Sequence, residues 1–260
     1  MYPNEFSSYI DAAQVALYVF WLFFFGLVFW LRREDRREGY PLESDPTGKV
    51  KDRGFLLLPS PKTFLLRDGT TATAPNFKRD QRPVAAVRVG PWPGAPLTPT
   101  GDALADGVGP AAWAERREVP DQTWDGHNKI VPTRVDGHYG VAKGDVDPRG
   151  LAVVGLDRKV AGTVVDLWID RAEHVIRYLE VKVDVPGINN VLIPMTLSTI
   201  EGSGLSGHSV KVRSLKAEQI GRAPRPASAD SVTFREEDRI CAYFGGGHMY
   251  ATPLRSEPLL

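Results

Sequence analysis

Residues 159–184 read KVAGTVVDLWID, RAEH, VIRYLEVKVD, and the flanking segments extend the pattern over 151–215, through VPGINN at 185–190, VLIPMTLSTI at 191–200, a Gly-rich turn and HSVKVRSLK at 208–216. Short β-branched and aromatic runs, each closed by Gly, Pro or Asn, predict an antiparallel strand meander. In VIRYLEVKV, Val175, Arg177, Leu179, Val181 and Val183 share one face while Ile176, Tyr178, Glu180 and Lys182 share the other, which predicts a half-buried strand. Strands of this length and spacing read as a small barrel or sandwich. Downstream, Thr233 and Glu236 stand at capping-box spacing, which predicts a helix over about 232–244 with glycines 245–247 as its stop.

Upstream the chain changes character. Residues 12–31, AAQVALYVFWLFFFGLVFWL, carry no charge, and at about 1.5 Å per helical residue they reach about 30 Å, the thickness of a bilayer core. Twelve of these twenty residues are Leu, Val or Phe, with an apparent insertion gain on the order of 5 kcal/mol. A cleaved signal peptide needs a basic leader and a small-residue cleavage site, whereas Glu5 and Asp11 precede this span and Trp30 and Leu31 end it, so a retained anchor is expected. Arg32, Arg33, Arg36 and Arg37 crowd its C-terminal end, which places residues 1–11 outside, in the periplasm, and the remainder in the cytoplasm. The aromatics Trp21, Phe23, Phe24, Phe25 and Trp30 suit lipid contact, or packing on a pigment or partner helix. Residues 32–105 hold short apolar runs broken by repeated prolines, which predicts a strap lying on a partner rather than a self-contained core; a disordered tether is the alternative. Residues 106–260 form the main domain in this reading.

Charge and motifs exclude several function classes. Lysine plus arginine equal aspartate plus glutamate at 32 each, so no basic field exists to hold a nucleic acid. A single cysteine, Cys241, excludes an internal disulfide framework and multi-cysteine zinc sites. GVGPAA at 107–112 matches a dinucleotide fingerprint by letter, but no strand precedes it and Pro110 interrupts it. Phosphate loops, zinc-binding helices and nucleophile elbows are absent from the sequence, so an enzyme is not expected. Two polar clusters remain. Asp125, His127 and Lys129 lie in DGHNK, material for a proton relay, a weak metal site or an ordinary solvated turn. Asp170, Glu173 and Arg177 lie at the hairpin between two strands, where neighbouring charges can poise a carboxyl to pass protons; a plain exposed hairpin is the alternative.

The ordered motifs REGYPLE at 37–43, PKTFLL at 61–66, PTGDALADGVGPAAW at 99–113, DGHNKI at 125–130, VAGTVVDLWID at 160–170, YLEV at 178–181 and EEDRICAYFGGGHMYA at 236–251 carry a resemblance. Nearly end to end, the chain resembles the H subunit of the photosynthetic reaction centre of purple bacteria. The resemblance implies a PRC-barrel domain behind a single membrane span, and a non-catalytic subunit that caps the pigment-bearing L and M subunits, stabilises the quinone sites and conducts protons to the secondary quinone. It implies no cofactor on this chain alone. Bacteriochlorophyll, bacteriopheophytin, quinones, non-haem iron and carotenoid are expected in the partner subunits, with light-harvesting antenna proteins and membrane lipids as further neighbours in an intracytoplasmic (chromatophore) membrane. By resemblance, Glu173 is the carboxylate near the secondary quinone, with Asp170 and Arg177 beside it. The family pattern DGHGH has two histidines where this chain has one, so His127 is the surviving proton-uptake group, with Asp125 beside it and Lys129 tuning it. Two ligands are too few for the transition-metal site that this surface forms in relatives. The alternative assignment is a membrane-tethered PRC-barrel adaptor outside photosynthesis.

Overall fold

The computed structural model describes residues 11–44, 47, 49, 58–78, 80–185, 187, 189–203 and 207–256. The segment 1–10, expected in the periplasm, lies outside the described residues, as do residues 55–57 of the FLLL run, residues 186 and 188 of VPGINN, and residues 204–206 of the Gly-rich turn. The chain forms two compact units, residues 1–81 with 90–95, and residues 82–89 with 96–260.

In the first unit, α1 spans Ala12–Glu34 and is opened by a reciprocal cap: Gln14 N donates to Asp11 Oδ1 at 2.7 Å and Asp11 N donates to Gln14 Oε1 at 3.3 Å. The uncharged span is therefore one helix that continues into the arginines, long and apolar enough to cross a membrane. Phe20, Trp21, Phe24 and Phe25 contact one another along it, with Trp21 and Phe25 stacked at 5.6 Å. At its foot, Glu34 takes two hydrogen bonds from Arg37 and one from Lys62 at 3.0 Å. Arg37 also donates to Ser60 O and Ala74 O, tying the helix end to the hairpin of β1 (Lys62–Leu65) and β2 (Thr71–Ala74).

The second unit holds the core. A hairpin of β3 (Ala86–Arg88) and β4 (Leu97–Pro99) precedes the short helix α2 (Ala103–Asp106), capped by Asp102. The strands β5 (Ile130–Pro132), β6 (Ala152–Val154), β7 (Val160–Asp170), β8 (Val175–Val183), β9 (Val191–Pro194), β10 (Thr199–Ser203) and β11 (Gly207–Lys211) make one sheet in the order β10-β11-β6-β7-β8-β9, with β5 on β7. Every pairing is antiparallel except β11 on β6. Trp168, Leu167, Leu179, Leu192, Ile193, Val164 and Val210 are sealed inside, and Ile220 of α3 (Ala217–Gly221) with Ile240 and Phe244 of α4 (Phe234–Tyr250) completes that core. This is a mainly-β domain with a C-terminal helix, preceded in the chain by an N-terminal apolar helix.

Two expectations need correction. The strand β8 is not half-buried: residues 178–181 are all buried, because β7 and β9 flank it, core side chains fill one face, and Tyr178 and Glu180 are covered on the other. Its register against β7 also slips at Arg177, the extra residue between the pairs Trp168↔Tyr178 and Ile169↔Ile176, so the alternation counted from Val175 does not run through. The late helix begins two residues after 232, with its capping box in place, and runs through glycines 245–247 to Tyr250. Two of them serve packing rather than stopping: a Cβ on Gly246 would sit 2.6 Å from Ala111 Cβ and one on Gly247 2.4 Å from Ser214 O, whereas one on Gly245 would meet nothing within 4 Å.

Candidate functional site

Antiparallel pairing of β5 with the end of β7 sets Ile130 opposite Asp170, and Arg171 N donates to Lys129 O at 2.9 Å. This register delivers Lys129, at the mouth of β5, to the hairpin carrying Asp170 and Glu173. Lys129 Nζ lies 3.4 Å from Asp170 Oδ2, 3.6 Å from Glu173 Oε1 and 3.7 Å from Asp121 Oδ2. Arg177 Nη1 completes the string at 3.9 Å from Glu173 Oε2. Asp170 is 0% exposed; its Oδ1 accepts from Ala172 N at 2.9 Å and Glu173 N at 3.0 Å, while Oδ2 has no hydrogen bond among the described residues and faces the Lys129 ammonium. The hairpin backbone closes with His174 N donating to Asp170 O and His174 in the left-handed region at φ 56°. Burial works against the charge on Lys129, but Asp170, then Asp121 and Glu173, outweigh it and hold the ammonium pKa above its ordinary value.

The cluster read as Asp125, His127 and Lys129 therefore divides. Asp125 and His127 stay on the surface turn, 3.8 Å apart, and line a depression of about 560 Å³ with Asp136, Tyr139, Arg171 and His174. The Thr123 hydroxyl donates to Asp125 and holds its carboxyl below the usual range. Among the described residues no three His, Cys, Asp or Glu side chains form a metal-binding group. Lys129 joins the second cluster instead.

Sequence reasoning missed the partners that α4 supplies. A groove of about 260 Å³ runs from Lys129, Asp121 and Arg177 to Tyr178, Glu237 and Cys241. The Tyr178 hydroxyl donates to Glu237 Oε2 at 3.0 Å and lies 3.7 Å from Cys241 Sγ. Burial pushes the Glu237 carboxyl above its usual range, and it pushes the Tyr178 hydroxyl up further. Only the apolar neighbours of Tyr178 in β8 were a signal for this site, since the hydroxyl and its carboxylate are 59 residues apart in sequence. A carboxyl whose pKa is raised in the folded state costs stability as the pH climbs through its unfolded value, and the cost is absent below it. Glu237→Gln, which keeps an acceptor for Tyr178, is thus expected to raise the unfolding midpoint at pH 7 by about 1–3 °C and to leave it unchanged at pH 4. Thermal unfolding of the full chain at both pH values checks this.

GVGPAA is a packing turn: Gly107 ends α2 in the left-handed conformation, and Gly109–Ala111 form a single 3-10 turn against α4. Trp113, which follows, lies between guanidinium groups, with Arg82 at 4.1 Å and Arg239 at 5.6 Å from its ring.

Compared with known families, residues 4–135, half of the chain, match the photosynthetic reaction centre H-chain N-terminal region, and residues 141–219 match the PRC-barrel domain. The order of the matches repeats the order in the fold, apolar helix first and strand meander second. The chain therefore belongs to the H-chain family of the photosynthetic reaction centre, a structural subunit that associates with the other reaction-centre subunits.

Proposed function

We propose that this chain caps the pigment-bearing L and M subunits on the cytoplasmic side, stabilises their quinone sites and conducts protons to the secondary quinone. In this reading α1 is a single-pass anchor of the inner, intracytoplasmic membrane, with Arg32, Arg33, Arg36 and Arg37 on the cytoplasmic side. The proline-rich segment 32–105 lies on the partners, and lipids and antenna proteins surround the span. The pigments, quinones and iron belong to the partner subunits.

The observation that carries the reading is the string Asp121, Lys129, Asp170, Glu173, Arg177, which combines a buried acid with half-exposed ones at contacts of 3.4–3.9 Å. Reduction of a quinone by two electrons consumes two protons, and a buried site can receive them only through ionisable groups or water. Lys129 and Arg177 set two positive charges among the three carboxylates, which offsets most of their mutual repulsion and lets the acids stand close enough to form one string. Asp125 and His127, on the exposed turn, are the uptake groups, and Glu173 delivers toward the quinone. In reaction centres assembled with Glu173→Gln, the proton-coupled second reduction of the quinone is expected to slow at least about tenfold, with primary charge separation unchanged. Flash-induced absorption and proton uptake measure both, and normal quinol formation in the variant would sink the proposed role.

A further inference from the structure

We propose that Arg134 is a positioning residue that fixes the register of β5 on β7 and thereby keeps Lys129 against Asp170. The inference rests on the proton-conducting reading only for its functional consequence. β5 has three residues and pairs on one edge only, with Ile130↔Asp170, Val131↔Ile169 and Pro132↔Trp168. Because Lys129 O accepts from Arg171 N and Thr133 N donates to Leu167 O, the backbone of Pro132 faces away from β7 and no further strand can add there. So short a ladder sets its register weakly by itself.

Polar clamps hold its two ends. At the first, Lys129 meets Asp170, Asp121 and Glu173. At the second, Thr133 donates to Asp166, and Arg134 Nη1 reaches Asp166 Oδ2 at 3.0 Å and Glu180 Oε2 at 2.5 Å. The remaining donors of Arg134 go to Asp230 at 3.2 Å and to Ala229 O. Glu180 is itself fixed by Trp168 Nε1 at 2.8 Å and Asn190 Nδ2 at 2.7 Å. The planar fork of Arg134 thus binds β5 simultaneously to β7, β8 and the loop before α4. Asp166 is an anchor with a reason to be there: β7 carries one extra residue, Val165, between the pairs Val164↔Val181 and Asp166↔Glu180, and that bulge brings Asp166 opposite Glu180.

Lysine at 134 would retain one charge but cannot serve four partners on three elements. Hydrogen exchange of the assembled complex, read on peptides spanning 129–134, 170–175 and 178–183, tests the clamp. In Arg134→Lys, exchange is expected to quicken at least tenfold in the first two peptides, including the Arg171 amide at the far end of β5, and to stay unchanged in the third. Acceleration confined to Thr133 and the 226–230 loop, with Arg171 as protected as in the parent, overturns the inference. Asp166→Asn removes one anchor without changing shape, is expected to act in the same direction, and decides the question if Arg134→Lys does not assemble. Faster exchange at Arg171 with an unaltered proton-delivery rate would keep the clamp and overturn the proton role of Lys129, whereas a failed Glu173→Gln test leaves the exchange result standing.

Discussion

Lys129→Met is expected to lower the unfolding free energy of the full chain by about 2–3 kcal/mol at pH 7, and addition of Asp170→Asn is expected to restore most of it. The cost arises on Asp170. Its side chain is fully buried, two backbone N–H groups hold Oδ1, and Oδ2 has only the ammonium 3.4 Å away. Without Lys129 a buried carboxylate keeps half of its partners, so it takes up a proton or destabilises the fold. The figure lies below that for a fully buried pair because the Lys129 side chain is 22% exposed and water screens part of the interaction. Denaturant titrations in mild detergent at pH 7, on the single and double variants, measure this. Equal stability of Lys129→Met and parent at pH 7 would mean that Asp170 carries no charge there, and the ion-pair account of the site would fail.

The elements that could be read from sequence are those whose signal is local. Residues 160–170 and 175–183 declared themselves as strands by composition, and the box formed by Thr233 and Glu236 fixed the start of α4 within two residues. The span of 12–31 followed from absence of charge and emerged as helix. What stayed hidden depends on contacts between distant segments. β5 is too short for a period, and its place comes from pairing with β7. Glycines 245–247 resemble a stop until Ala111 and Ser214 are seen to press on Gly246 and Gly247. Proximity in sequence groups Lys129 with Asp125 and His127, yet the chain passes from a surface turn into a strand between His127 and Ile130, and that change carries the lysine to the hairpin. Asp121, Tyr178 and Glu237 join the groove by tertiary packing, and the apolar neighbours of Tyr178 in β8 are the one mark of it in the sequence.

Arg134→Met is expected to cost at least as much as the loss of Lys129, about 2–4 kcal/mol at pH 7, because it strands two carboxylates instead of one, although the 39% exposure of the Arg134 side chain screens part of each interaction. Asp166 and Glu180 are opposite one another across β7 and β8, are 8% and 7% exposed, and share a single Arg134 nitrogen. Like charges facing across a sheet repel, and burial strengthens the repulsion. Burial works against the Asp166 charge, but Thr133, the amides of Leu167 and Arg134, and the Arg134 side chain outweigh it and hold the carboxyl below its usual range. A carboxyl depressed in the folded state contributes stability above its unfolded pKa and loses it as the pH falls through the folded one. The difference between parent and variant should therefore be largest near neutrality and shrink in acid, where the parent loses the Asp166 contribution. Glu180→Gln in the Arg134→Met background removes the repulsion, but the amide has one oxygen for the two donors, Trp168 Nε1 and Asn190 Nδ2, so recovery is expected to be partial. Unfolding free energies of the parent, both single variants and the double variant give the coupling directly. Additive losses would show that Arg134 and Glu180 act independently, whereas a double variant more stable than Arg134→Met alone would identify the stranded Glu180 charge as the source of the cost.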